Sequence, residues 1–374
     1  VASNAGGAVY IAGGTVNITT STDISGNTAV YGGAIYITGA SSRFVVNAKD
    51  AVTFSSNSAS SAGGAIYIDS SASRSALSFT NEVIFSENYV TNGNGGALWL
   101  GSCSQLPQGT LTFDSNQAQR TDSTDDTLGN GGAIYIGDST SSTATIDSSY
   151  DYTFTGNTAY VYGGAFYTLS SDVIFDGITM TDKNTANVGG GFASSGSGRF
   201  TIRNGSVISN QTAQHGGAIY AIGSLTLNNV TFSGNVATVE GGAVYGNGEI
   251  TVESADFSDN ESLGTENNNG GGAIYASGTL RLINSIFSGN VSNQDGGAVY
   301  GNNNDVTVTN SYFDSNSTTK GNGGGVMLTN ASTLIVTQST FTNNKSGYDG
   351  GAFYAQGETL EIEGCYFEEN QAAQ

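Results

Sequence analysis

Apolar residues recur along this chain in pairs separated by a single position, and the pairs return at a steady interval. Examples are Leu225/Leu227, Ile250/Val252, Leu280/Leu282, Val306/Val308, Leu334/Val336 and Leu360/Ile362. The intervening residues are mostly polar (Thr226, Thr251, Arg281, Thr307, Glu361), with Ile335 the exception. A period of two with one wet face predicts a short strand, and no segment carries the 3.6-residue period of a helix. Two further motifs bracket each pair. One is a glycine pair leading into an apolar–aromatic step, as in Gly216-Gly217-Ala218-Ile219-Tyr220. The other is an apolar-x-x-Asn phrase, as in Phe232-Ser233-Gly234-Asn235. Three short strands separated by turns are therefore expected per repeat.

The phrase occurs 13 times, with glycine pairs beginning at positions from 6 to 350 and spaced by 25 to 36 residues. The partner motif ends at Asn27, Asn57, Asn88, Asn116, Asn157, Asn184, Asn210, Asn235, Asn260, Asn290, Asn316, Asn344 and Asn370. Its apolar position is Phe in ten copies, Ile24 and Val207 in two others and, with one extra residue, Met180 in the last. A unit this short cannot close a core alone, but stacked on its own copies at about 4.8 Å per coil it buries a continuous apolar column. Parallel strands joined by crossovers take the right hand. The expected fold is all-β: a single-stranded right-handed parallel β-helix (solenoid) of about 13 three-strand coils, roughly 60 Å long at that rise. It is read as one array over 1–374, with longer, loop-bearing coils over 1–162 and mostly minimal coils over 163–374.

Each repeated residue then has a structural task. The paired glycines suit a turn needing positive φ or close backbone approach. The asparagines are expected to stack, each amide bonding the next along the axis, and the phenylalanines to form a buried aromatic column. In the glycine strand the fourth position is always apolar. The fifth is aromatic in Tyr10, Tyr36, Tyr67, Trp99, Tyr135, Tyr167, Tyr220, Tyr245, Tyr275, Tyr300 and Tyr354, with Ala193 and Met327 as the exceptions. Neighbours in a strand face opposite ways. The fifth position shares its face with a mostly polar seventh (Asp69, Asn247, Ser277, Asn302, Gln356), which places the aromatic row outside. Such a row reads either as ring stacking that shields the strands or as a lateral-contact or sugar-stacking surface.

Charge narrows the partners. The net charge is −21, and the 10 basic residues are scattered singly, so no stripe exists to neutralise phosphates or anionic lipid. No apolar run is long enough to span a membrane as a helix. The chain opens on Val1 without a signal peptide, as a mature protein or a segment of a longer one. Nine Asn-x-Ser/Thr sequons are no more than this Asn-, Ser- and Thr-rich composition predicts. Cys103 and Cys365 lie in the fourth and last repeats, too far apart in a solenoid for a disulfide. Cys365 occupies a position held elsewhere by Val230, Ala255 or Ser285, and reads as a small buried thiol.

Insertions mark the corners where recognition would sit. Residues 117–130, with Asp122, Asp125 and Asp126, and residues 261–270, with Glu261 and Glu266, lengthen the turn after the asparagine. A third insertion near 101–109 holds Cys103 and the single proline, Pro107. Enzymatic chemistry finds little footing. The adjacent acid pairs are Asp125-Asp126 and Glu368-Glu369, and His215, the sole histidine, reads as a solvated residue before a glycine pair. No catalytic residue or cofactor is expected. Calcium would be held at most weakly by Asp122, Asp125 and Asp126, and zinc spacing is absent.

Gly-Gly-Ala-Ile paired with Phe-x-x-Asn, as in Gly216–Ile219 with Phe232–Asn235, resembles the repeats of the chlamydial polymorphic outer membrane proteins, and the resemblance covers all 13 copies. That resemblance implies an autotransporter: a secreted β-helical passenger acting as an adhesin, followed by a membrane barrel that this sequence does not contain. The expectation is thus a non-catalytic extracellular or cell-surface interaction protein, associated with an outer membrane through other segments, binding protein or glycan at a cell surface. The alternative is a structural subunit of an extracellular filament or surface appendage, self-associating end to end or laterally. A polysaccharide-active enzyme ranks below both.

Overall fold

The structure, a computed structural model, describes residues 4–73, 75–101, 106–121, 125–137, 144–145, 151–169, 171–266, 269–302 and 305–373. The chain is a right-handed parallel β-solenoid of about 12 turns. It divides into two compact units, Val1–Gly198 and Arg199–Gln374, each built from the same coil.

The coil that opens at Gly216 shows the plan. Strand Ile219–Ala221 leads to Leu225–Ser233, which bends at Asn229, and then to Val236–Glu240. Each strand pairs in parallel with its counterpart one coil on: Ile219 with Val244, Leu227 with Val252, Phe232 with Phe257 and Val236 with Glu261. The coil thus has a fourth segment, after the asparagine, where three were expected. Its inward residues are small (Ala237, Ser262, Ser292, Thr318, Ser346) and buried. They leave no apolar alternation for a sequence pattern to reveal.

The fourth segment explains the glycine pair. Gly216 takes φ +58, a left-handed corner. Gly217 needs space instead: a Cβ there would lie 2.1 Å from the carbonyl oxygen of Gly242 and 2.6 Å from that of Val236. The backbone of the glycine strand runs against the backbone of the fourth segment, and no side chain fits between them. In the 199–374 unit two more left-handed corners complete each coil. One precedes the third strand (Asn229, Ser254, Asn284, Asn310, Gln338, Gly364) and one precedes the ladder asparagine (Gly234, Asp259, Gly289, Ser315, Asn343, Glu369).

The interior is ordered in columns. Phe232, Phe257, Phe287, Phe313, Phe341 and Phe367 stack with centroids 4.7 to 5.2 Å apart, close to the spacing of adjacent coils. In the 1–198 unit Phe54, Phe85, Phe113 and Phe154 do the same at 5.0 to 5.1 Å. At the last coil the inward Leu360, Ile362 and Phe367 are exposed.

Beside the phenylalanines run two amide ladders, Asn27–Asn57–Asn88–Asn116–Asn157–Asn184 and Asn235–Asn260–Asn290–Asn316–Asn344–Asn370. Each Nδ2 donates to the next Oδ1 at 2.8 to 3.0 Å. Asn290 shows why the side chain is specific. Its Nδ2 donates to Phe257 O and Asn316 Oδ1, and its Oδ1 accepts from both the backbone N–H and the side chain of Asn260. All four bonding positions of one amide are used. The sequons at Asn260, Asn290, Asn316 and Asn344 therefore lie buried within the ladder.

Asn210 does not belong to this set. A bulge between Arg203 and Ser206 inserts one residue, so Ile208, not Val207, pairs with Phe232. The next rung falls on Gln211, which is buried and donates its backbone N–H to Asn235 Oδ1 at 3.0 Å. Asn210 is exposed at a left-handed corner with φ 57. The spacing Val207-x-x-Asn210 satisfies the motif by coincidence.

A second, shorter ladder goes beyond what the motifs predict. Ser285, Ser311 and Ser339 are buried at the corner before the third strand. Each accepts a backbone N–H from the preceding coil at 3.1 to 3.2 Å, and each donates to a carbonyl two residues back at 2.8 to 3.0 Å. Cys365 continues the row, half-buried, with its Sγ 3.4 Å from Val336 O and Glu363 O. Cys103 lies outside the described residues.

Candidate interaction surface: the aromatic row and the corner loops

The fourth position of each glycine strand is sealed inside: Ile35, Ile66, Leu98, Ile134, Ile219, Val244 and Ile274 have no exposed surface. The aromatic residues that follow them lie on the opposite face. In the 1–198 unit Tyr10, Tyr36, Tyr67, Trp99, Tyr135 and Tyr167 form one stack, with centroids 4.3 to 6.0 Å apart. In the 199–374 unit Tyr220, Tyr245, Tyr275 and Tyr300 stack at 5.0 to 5.1 Å, and Met327 and Tyr354 extend the cluster.

Although outside the core, the row is not open. Tyr10 is 54% exposed, but Tyr167 and Tyr275 are buried and Tyr300 is fully covered. Stacking is the first reason: each inner ring has its faces against its neighbours, and only edges and hydroxyls reach outward. A second row supplies further cover. The residues just before the glycine pairs lean on the stack: Tyr31 on Tyr67, Tyr162 on Tyr167 and His215 on Tyr245, at 5.3 to 5.6 Å. Stacked faces leave no platform for a sugar along the inner row.

The polar seventh position serves the phenols. Tyr36 donates to Asp69 Oδ2 at 3.3 Å, and Asn302 donates to the Tyr275 hydroxyl at 3.4 Å. Burial, with the Asp69 carboxylate close by, pushes the Tyr36 hydroxyl up to about 12. Burial likewise takes Tyr300 to about 12, against a hydrogen bond with Thr329. Tyr67 and Tyr245 are raised by the same cause, with neighbouring phenols and carboxylates adding to it. Partial burial acts upward on Asp69, but hydrogen bonds from Ser71 and Tyr36 outweigh it and hold its carboxyl below the usual range.

The corner insertions are tethered. Gln117–Ala118 is still strand, and the loop proper follows it. Arg120 pairs with Asp126 at 2.6 Å and lies over the Tyr160 ring at 4.7 Å. Asp125 caps the turn by accepting from the N–H of Thr127. Asn130 is held from the preceding coil through Asn94 Oδ1 at 2.9 Å. Asp122 lies outside the described residues. In the other unit Glu261 is not a loop residue: Glu261–Ser262 is a strand that pairs with Val236 and Val291, because the backbone after the asparagine continues the ladder before the insertion begins. Glu266 is exposed within the insertion. His215 is half-buried and paired through Nδ1 with Glu240 Oε2 at 3.2 Å, which corrects its reading as a solvated residue. Among the described residues no three His, Cys, Asp or Glu side chains gather as they would around a metal ion.

Residues 218–373 match the model of the right handed beta helix region, which states the class of this molecule. Four segments, 21–38, 51–69, 110–137 and 151–169, match the Chlamydia polymorphic membrane protein (Chlamydia_PMP) repeat. The chain carries polymorphic membrane protein repeats on a right-handed β helix. No curated protein and no solved structure matches it.

Proposed function

We propose that this chain is a non-catalytic surface protein of the adhesin-passenger kind, presented outside the cell and binding protein or glycan on another surface. The match of four segments to the polymorphic membrane protein repeat carries this reading. The structure supports it by accounting for the motif. Glycine pairs, phenylalanines and asparagines are consumed by coil closure and stacking, which leaves the tethered corner loops and the margin of the aromatic row to differ from coil to coil. Loops on a rigid solenoid are the usual place for recognition.

Beads coated with the chain test the reading against cultured epithelial cells. Replacing 117–130 with the equivalent short segment Val236–Glu240 is expected to lower bead attachment about tenfold, with an unchanged β-sheet circular dichroism spectrum. Attachment of the intact chain no better than albumin-coated beads would sink the reading. Full attachment after loop excision would remove the loop from it.

A further inference from the structure

In the 1–198 unit the row that leans on the aromatic stack carries rings only at Tyr31 and Tyr162. The coils between them supply Ala62, Asn94 and Asn130. Ala62 bridges Asn94 directly, so these positions are in register. The missing rings leave a cavity of about 380 Å³, at the small end of the range of roughly 300–1,000 Å³ found for small-molecule sites.

Its lining is three aromatic side chains, three with a hydroxyl or amide, and the aliphatic Ala62 and Leu128. Tyr31, Tyr67 and Trp99 supply rings, and Ser61 and Asn92 supply polar groups around the small Ala62. Tyr31 stands outside the stack, tilted 59° to Tyr67 and 38% exposed, so it keeps more uncovered surface than the half-buried Tyr67 and Trp99. The Asn94 amide is committed to Thr127 O and to the N–H of Asn130. Asn92 accepts from the N–H of Thr121 at 2.9 Å, while its Nδ2 has no partner among the described residues. The hydroxyls of Tyr31, Ser61 and Tyr67 and the indole N–H of Trp99 are also without partners among those residues. Among the described residues no charged side chain lines the cavity, and the field of a chain at −21 repels anions.

Apolar ring surface beside unpaired donors and hydroxyls fits a ligand with a C–H face and a rim of hydroxyls. We propose that this cleft binds one neutral pyranose ring, with Tyr31 against the C–H face and Asn92, Ser61 and Tyr67 bonding its hydroxyls. The proposal rests on the surface-binding reading above and specifies its glycan arm. Burial raises the Tyr67 hydroxyl, which stays protonated and able to donate at any physiological pH.

Trp99 is the single tryptophan and lines the cleft, so its emission reports occupancy without a label. Titration of the full chain with methyl glycosides of glucose, galactose, mannose and N-acetylglucosamine is expected to give a saturable change with at least one of them. Ala62→Tyr, which returns a ring to the row, is expected to abolish that change. Asn92→Ala, which removes a donor without filling space, is expected to weaken it about tenfold. No saturable response, or one unaltered by both variants, overturns the proposal. Saturation by N-acetyltyrosinamide but by no glycoside also overturns it, in favour of an aromatic peptide side chain. The bead assay separates this from the broader reading. A glycoside response from a chain that binds no cell supports the cleft and sinks the adhesin. Cell attachment without a glycoside response does the reverse.

Discussion

At the scale of the residue, asparagine is the most demanding position in the coil. A buried amide needs both donors and both acceptor sites filled, and the ladder fills them with one residue type repeated in register. Removing one rung strands its neighbours. Asn290→Ala would leave the backbone N–H and side chain of Asn260 and the carbonyl of Phe257 without the partners they now have. Each buried orphan costs about 1–3 kcal/mol, so a loss of roughly 3 kcal/mol or more is expected. The check is the urea midpoint by far-ultraviolet circular dichroism. A loss below about 0.5 kcal/mol, typical of a surface change, would show that the amides do not hold the coil. The serine ladder works by the same logic with one hydroxyl, and its rung positions admit Val230, Ala255 or Cys365 where packing suffices.

At the scale of the element, the coil is set by where backbone must touch backbone. The two glycines of a pair look equivalent in sequence, yet Gly216 is a matter of torsion and Gly217 of space. Gly205 isolates the torsional part, since it holds φ +78 and a Cβ added there would meet nothing within 4 Å. Gly205→Ala is accordingly expected to cost about 1 kcal/mol. Gly217→Ala must separate two backbones and is expected to cost several times as much, or to prevent folding of the 199–374 unit. Thermal unfolding of the two variants side by side decides the matter, and equal losses would refute the crowding argument. The aromatic row belongs to this scale too. Its rings stack because adjacent coils repeat at the spacing that stacked rings accept.

At the scale of the whole molecule, stacking turns single residues into columns, and burial within a column shifts the titration of particular phenols. Tyr36 and Tyr300 are raised to about 12 from an ordinary value near 10, so the folded chain keeps these protons where the unfolded chain releases them. The folded state then binds more protons than the unfolded one between those values, and stability falls as pH rises through that window. Below pH 10 this contribution is fully present. Phenolate absorbance should accordingly show Tyr36 and Tyr300 keeping their protons well above pH 10. These two should ionise only near pH 12, together with unfolding. Ionisation of all 19 tyrosines in one step near pH 10 would contradict the burial of the row.

Much of the architecture was legible in the chain because a solenoid writes its contacts at a fixed interval. Glycine pairs, Phe-x-x-Asn phrases and alternating apolar pairs recur wherever the coil recurs, and together they specified a right-handed parallel β-helix with its asparagines in file. What they left open is whatever depends on a neighbour one coil away. The fourth segment carries no apolar signal. The slip from Asn210 to Gln211 turns on a bulge that only pairing with Leu225–Ser233 exposes. The aromatic row reads as outward from strand alternation, yet it is covered by stacking on the rings of adjacent coils and, in places, by the residues before the glycine pairs. The cleft beside Trp99 is likewise a property of register, for Ala62 and Asn94 are unremarkable until Tyr31 and Tyr67 are set beside them. Periodicity by itself determined the coil, because a repeat satisfies its own bonds. Tertiary structure decided which surfaces stay open, because exposure is set by what the adjacent coil places against each side chain.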